Sequence, residues 1–254
     1  MGNGDCILLD FKTCFFAVSD SSDRNPAASR ELLLRLTALF RKNCSRLDLD
    51  ESGLEPFKQE AAKQASKAIS SVPRTASCTL TALKFVRTER GWKALLMHMG
   101  DSALFAYGRQ TKSLDMLSQR NFWLAGKTHS LYQAEWLEAE PGALWILTTD
   151  GVPDSAMNAC FGRRVNGAAP PPVPEVQDVP EALLTLIAQE KTMQDDAAVI
   201  ALEPGRMKPA DACIIMGGTT GMQEKNYIKR CVSLEYRDRN SPVDFKTPYA
   251  CPII

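Results

Sequence analysis

Six aspartates stand where apolar stretches begin or end. Asp5 precedes "CILLD", Asp20 follows "FFAVS", Asp101 follows "LLMHMG", Asp150 follows "LWILTT", and Asp195 and Asp196 precede "AAVIAL". Aspartate beside Gly or Ser is an ordinary turn former or helix cap, and each position alone has that reading. Their recurrence points further. A buried apolar strand delivers its flanking residue to the edge of a core, where several carboxylates repel one another and lose hydration. No Lys or Arg adjoins Asp20, Asp101, Asp150, Asp195 or Asp196. Hard divalent cations would relieve that repulsion, since Mg²⁺ and Mn²⁺ take oxygen ligands and keep several waters. Two such ions about 3.5–4 Å apart would activate a water and clamp a phosphate.

The chain between the aspartates must supply elements that bring them together. Residues 6–10 and 14–20 read as two strands joined by a tight turn over Phe11 to Thr13. From Pro26 the period becomes helical, with Leu32, Leu33, Leu36, Leu39 and Phe40 on one stripe and Asn25 as the cap. A second amphipathic helix over 53–72 carries Leu54, Phe57, Ala61, Ala65, Ala68 and Ile69 and stops at Pro73. Strands are expected over 75–88 and 92–101, with "SALFAYG" and "SLDMLS" continuing a meander, then over 131–140 and 143–150. The stretch 161–179, rich in Pro and Gly, reads as a loop. A helix over 180–191 and a buried strand over 195–203 follow. Helices grouped early and late around consecutive strands imply an α+β fold, with two layers of sheet flanked by helices. Beyond Pro204 the character changes, so the expected division is a domain over 1–203 and a C-terminal extension over 204–254.

Composition narrows the partners. Thirty basic and thirty acidic residues give a net charge of zero, so neither nucleic acid nor a membrane surface is expected as a partner. No apolar run reaches about 18 residues, the length of a spanning helix, and "MGNGDCILLD" lacks the features of a signal peptide. "MGNGDC" has Cys6 where a myristoylation site needs Ser or Thr, and "CPII" fits a prenylation box in outline only, without a polybasic lead. Eight cysteines show no C-x-x-C spacing and read as small buried hydrophobes in a reducing cytoplasm, the expected location. Two histidines exclude a histidine-rich metal site. His98, three residues before Asp101, reads as a core histidine, and Cys78 and Cys160 as structural thiols. The sequence carries no signal for the oligomeric state.

The ordered strings "NGDCILLD…FFAVSD", "SCTLTAL…LLMHMGDSALF", "LWILTTDGVPD" and "QDDAAVIAL" resemble the metal-dependent serine/threonine protein phosphatases of the PPM (type 2C) class, especially the bacterial branch. The likeness runs from about residue 3 to residue 203. It implies a four-layer α-β-β-α sandwich of two antiparallel sheets flanked by helices. It implies two Mn²⁺ or Mg²⁺ ions, with a third held more loosely, and a metal-activated water that hydrolyses phosphoserine or phosphothreonine in a phosphoprotein, a signalling activity. Carried over by position, Asp20 would bridge both metals and Ser21 would offer its backbone carbonyl to one. Asp150 and Asp195 would complete the second metal, and Asp101 with Asp150 would serve the third. Asp5 aligns with a ligand or the partner of one, and Asp196 is the alternative to Asp195. Asp20 and Asp150 would be the residues on which catalysis depends.

The chain departs from the family pattern. The glycine-rich stretch after the bridging Asp is here "DSSDRNPAAS", with Ser22 where a His often sits. The family's phosphate-gripping Arg would fall before Met1, which leaves Arg24 as the candidate substrate-binding residue, because guanidinium holds phosphate in a fork. "GDSA" lacks the usual Arg after Ser102, and Ala198 replaces the usual Thr. A catalytically silent relative that binds a phosphoprotein or regulatory partner is the alternative these losses suggest. An aspartyl phosphotransferase would need D-x-D after its first strand, and "SDSSD" has the wrong spacing.

Overall fold

The computed structural model describes residues 3–22, 24–138, 140, 142–162, 173–189 and 195–217, with the backbone of 243–245. In chain order the elements are β1 (Cys6–Asp10), β2 (Phe15–Ser19), α1 (Ala27–Asn43), α2 (Glu51–Ile69), β3 (Leu80–Thr88), β4 (Gly91–Met99), β5 (Ala103–Gly108), β6 (Ser113–Met116) and β7 (Gln133–Glu138). Then come β8 (Leu144–Thr148), α3 (Asp154–Phe161), α4 (Val179–Gln189), β9 (Val199–Leu202), β10 (Cys213–Gly217) and β11 (Val243–Phe245). One sheet runs β11-β10-β1-β2-β3-β4-β7 and the other β6-β5-β8-β9. Every pairing is antiparallel except β10 with β11.

Strand alternation builds the layers. Successive side chains point to opposite faces. Cys6 and Leu8 of β1, and Phe15 and Ala17 of β2, therefore pack under the helical stripe of Leu32, Leu36, Phe40, Phe57, Ala61 and Ala65. Their neighbours Ile7, Leu9, Phe16 and Val18 meet Leu104, Trp145, Leu147 and Ile200 of the second sheet. The far face of that sheet, through Phe105, Leu144 and Ile146, is covered by Ala156, Met157, Leu183 and Ile187 of α3 and α4. Three cores separate four layers, the α-β-β-α order expected. Phe15 and Phe40 stack at 4.4 Å and 6°, and burying each ring contributes on the order of 2–3 kcal/mol.

Several expectations shift. Asp50 caps α2 by accepting from the Gly53 N–H, so that helix begins at Glu51 rather than 53. Pro26 occupies the cap position of α1, and Asn25 Oδ1 accepts from the Ala27 N–H at 3.1 Å. The meander breaks after β4, because β5 and β6 lie in the other sheet. Gly100 adopts φ +100, and a Cβ there would strike Thr79, so this glycine makes the change of sheet possible. Helix α3 falls where no helix was expected. Its eight residues are too few to display a period, although Ala156, Met157, Cys160 and Phe161 are buried.

Beyond residue 203, Cys213–Gly217 forms β10 and pairs with β1 from Cys6↔Gly217 to Asp10↔Cys213. Residues 218–242 and 246–254 of the extension, and 163–172 of the proline-rich loop, lie outside the described residues. Among the described residues no helix is long and apolar enough to cross a membrane. Cys6, Cys14, Cys44, Cys78, Cys160 and Cys213 are buried and outside any disulfide, and burial pushes Cys78 up to about 12 and Cys160 to about 11. Both are correspondingly unreactive.

Candidate active site

Antiparallel pairing decides which strand ends meet. Cys6 pairs with Ser19, so Asp5 and Asp20 lie side by side. Leu80 pairs with Met99, which puts Asp101 on the same rim. In the second sheet Thr148 pairs with both Ala103 and Val199, bringing Asp150, Asp101 and the 195–196 pair to the same end. Gly151 packs so tightly on the Asp196 carbonyl that any Cβ would collide with it. The turn after β8 and the lead into β9 are thereby locked together.

The electrostatics follow from that crowding. Burial, and then the charge of Asp20, push Asp5 up to about 9. Burial raises Asp20 to about 7, with the charges of Asp150, Asp195 and Asp101 adding to it. Asp150 is also raised, by desolvation and then by Asp101 and Asp195. Without a cation, the Asp5–Asp20 pair holds a proton at neutral pH.

Each predicted residue has a definite setting. Asp5 is 4% exposed, and its Oδ2 accepts from Thr149 Oγ1 at 2.7 Å, while its Oδ1 is buried without a hydrogen-bond donor. The Asp20 N–H donates to Thr79 Oγ1 at 3.0 Å, and Thr79 Oγ1 in turn lies 2.6 Å from Ser102 Oγ. One hydroxyl thus joins the end of β2 to the start of β5. Ser21 is buried, its hydroxyl 2.7 Å from that of Ser29, and its carbonyl accepts from the Arg24 N–H at 3.4 Å. Asp196 Oδ2 accepts from the Gly4 N–H at 2.9 Å, an engagement Asp195 does not have. Arg24 Nη2 stands 3.6 Å from Asp195 Oδ1. Asp154, the remaining carboxylate of "TDGVPD", turns away to a two-pronged pair with Arg120 at 2.7 and 3.3 Å.

Sequence reasoning missed the hydroxyls. Thr149, Thr79 and Ser102 are buried polar residues at the rim, and their only sequence signal is a polar residue at the edge of an apolar run. His98 is fully buried between Thr81 Oγ1 (2.9 Å) and the Gln119 carbonyl (3.1 Å), and burial drops it to about 4, so it stays neutral.

The protein phosphatase 2C family model matches residues 11–166, more than half of the chain. The chain belongs to the protein phosphatase 2C family. Solved structures agree in fold. The PPM Ser-Thr phosphatase MsPP of Mycobacterium smegmatis, in complex with cacodylate, is 20% identical with a TM-score of 0.52, over 80% of this chain and 92% of that one. The catalytic domain of the phosphatase PstP, in complex with two manganese ions, is 17% identical with a TM-score of 0.56, over 78% and 90%. PppA of Pseudomonas aeruginosa, described as a regulatory component of T6SS, is 16% identical with a TM-score of 0.58, over 78% and 90%. No curated protein matches the chain by sequence.

Divalent cations recur in this family. The residues of this member fit such an ion in three respects. All the rim side chains in question are oxygen donors. One buried carboxylate oxygen, Asp5 Oδ1, receives no N–H or hydroxyl donor, and the Asp5 carboxyl is left against that of Asp20. The raised carboxyls also need positive charge. Among the described residues, no three His, Cys, Asp or Glu side chains are drawn around a single point as a finished ion cage. Carboxylates without a counter-ion repel one another, and a cation is what draws such groups together.

Proposed function

We propose that this chain is a divalent-metal-dependent phosphoprotein phosphatase acting on phosphoserine and phosphothreonine. The observation supporting it is the rim itself: Asp5, Asp20, Asp101, Asp150 and Asp195 stand at strand ends on one edge of both sheets, where burial and neighbouring charge raise the proton affinity of Asp5, Asp20 and Asp150. Asp5, Asp20, Asp150, Asp195 and the Ser21 carbonyl would hold two Mn²⁺ or Mg²⁺ ions, and Asp101 with Asp150 would hold a looser third. Bound there, the metal supplies an activated water and positive charge for the phosphoryl oxygens. Asp5 and Asp20 release their proton as the site loads, which links occupancy to pH. Thr149 holds Asp5, and Thr79 holds the Asp20 backbone, so the ligands enter from fixed positions. Arg24, already at the rim, can turn from Asp195 to two phosphoryl oxygens in a fork. Purified protein should hydrolyse p-nitrophenyl phosphate only with added Mn²⁺ or Mg²⁺, and Asp150→Asn should abolish turnover. Hydrolysis that survives both chelator and that substitution would exclude this mechanism.

One observation favours the silent reading: Arg24 places a cation of the chain's own beside Asp195. Calorimetric titration with Mn²⁺ separates the two readings, since an enzyme takes two ions and a silent relative at most one weak ion.

A further inference from the structure

Beside this rim lies a fixed apolar surface that the reaction does not use. Phe122 is 99% exposed, with Tyr132 at 45% and Trp123 at 39%. Exposed aromatics of this size on one short segment mark an interaction surface more often than a scaffold. The segment is not loose. Asn121 Oδ1 accepts from both the Gly100 N–H (3.0 Å) and the Trp123 N–H (2.9 Å), while the Asn121 N–H donates to the Gly100 carbonyl at 2.8 Å. The Phe122 backbone is therefore held between Asn121, pinned to Gly100 next to Asp101, and Trp123, pinned to Asn121. The His98 ring lies 3.1 Å from the Gln119 carbonyl, and the His98 carbonyl accepts from the Tyr132 N–H at 3.1 Å, so both ends of the segment are tied to β4. Trp123 and Tyr132 meet edge to face at 5.7 Å and 73°. Two basic residues adjoin the segment on the side away from Asp101's strand end, Lys127 within it and Arg74 bonded to Lys127. Lys127 Nζ donates to the Arg74 carbonyl at 3.2 Å, and among the described residues no carboxylate pairs with the side chain of Arg74 or Lys127.

We propose that Phe122, Trp123 and Tyr132, flanked by Arg74 and Lys127, form a docking surface for the substrate phosphoprotein, seating an apolar side chain near the phosphorylated residue in an acidic stretch. This rests on the phosphatase reading. Aromatics supply large contact area with only two side-chain torsions to order, and the two cations select carboxylates over basic neighbours. The surface adjoins Asp101, so a bound peptide would lie across both regions.

The test uses the full chain with Mn²⁺ and three substrates: p-nitrophenyl phosphate, an acidic phosphoserine peptide carrying Leu near the phosphoserine, and the same peptide with Ala for Leu. Phe122→Ala and Trp123→Ala are each expected to lower kcat/KM on the Leu peptide by about tenfold, the effect of removing an anchoring aromatic. Both should leave p-nitrophenyl phosphate unchanged and should erase the preference for Leu over Ala. Equal kcat/KM on the Leu peptide for wild type and both variants overturns the proposal, as does an equal fall on all three substrates. Were the protein inactive, Trp123 fluorescence titrated with the Leu peptide still decides it: saturable quenching that Phe122→Ala weakens supports docking, and none refutes it. A concentration-dependent dimer in sedimentation that Phe122→Ala abolishes would assign the surface to a second copy and also overturn the proposal.

Discussion

Thr149 Oγ1 donates to Asp5 Oδ2 at 2.7 Å, joining the segment before β1 to the end of β8 across 144 positions of sequence. The same hydroxyl accepts from the Ala198 N–H at 2.8 Å, so one side chain ties three rim segments together. Thr149→Val keeps the volume and removes both bonds. We expect a loss of about 1–3 kcal/mol in urea unfolding, the effect of stranding buried polar groups. We also expect the Mn²⁺ concentration for half-maximal hydrolysis to rise by about tenfold, as for other groups that orient a metal ligand. A stability loss with no change in the metal requirement would show that Thr149 is only a structural bond.

The raised carboxyls make the metal-free protein sensitive to alkali. Asp5 titrates at about 9 and Asp20 at about 7 when folded, while both ionise near 3.8 when unfolded. Over the interval between, the unfolded chain binds fewer protons, so stability falls as pH rises. Burial lowers His98 to about 4 and Lys84 to about 8, so His98 acts below its ordinary 6.5 and Lys84 acts from about 8 upward. Between pH 6.5 and 8 the two carboxyls therefore outweigh both of these opposing groups. In chelator, Tm should drop across that window. Added Mn²⁺ or the substitution Asp5→Asn should flatten the drop, and a flat metal-free profile would contradict the electrostatics described for the rim.

Arg24 sits at φ +54, a left-handed conformation, so Arg24→Gly removes the guanidinium without adding backbone strain. Because Arg24 faces Asp195, its loss should leave Mn²⁺ affinity equal or tighter while raising KM for an aryl phosphate by about tenfold. Weaker Mn²⁺ binding in this variant would show that Arg24 supports the ligand geometry instead of gripping substrate.

Lys84 is fully buried, and its ammonium donates to the carbonyls of Thr13 (2.6 Å), Arg46 (2.9 Å) and Phe85 (3.0 Å). It fastens the β1–β2 turn and the α1–α2 connection to β3. Lys84→Met fills the space and strands the acceptors, and should destabilise by about 2–4 kcal/mol in urea unfolding. Divalent-dependent turnover per folded molecule should be unaffected, since Lys84 does not touch the rim.

The sequence alone made the strands, the two long helices and the aspartates at strand ends legible, because each depends on neighbours a few residues apart. Leu32, Leu36 and Phe40 declare one helix face, and "LWILT" declares a strand whatever it pairs with. Which ends share a rim depended on partners far along the chain: β1 beside β2 and β10, and β8 between β5 and β9. The same holds for Thr149 beside Asp5, for Lys84 at home in a core, and for the turn at Gly100 that sends β5 to the other sheet. Local propensity and period are properties of a segment, whereas pairing, burial and mutual charge belong to segments brought together. Only the folded chain could therefore gather these carboxylates at one edge and raise the proton affinity of Asp5, Asp20 and Asp150.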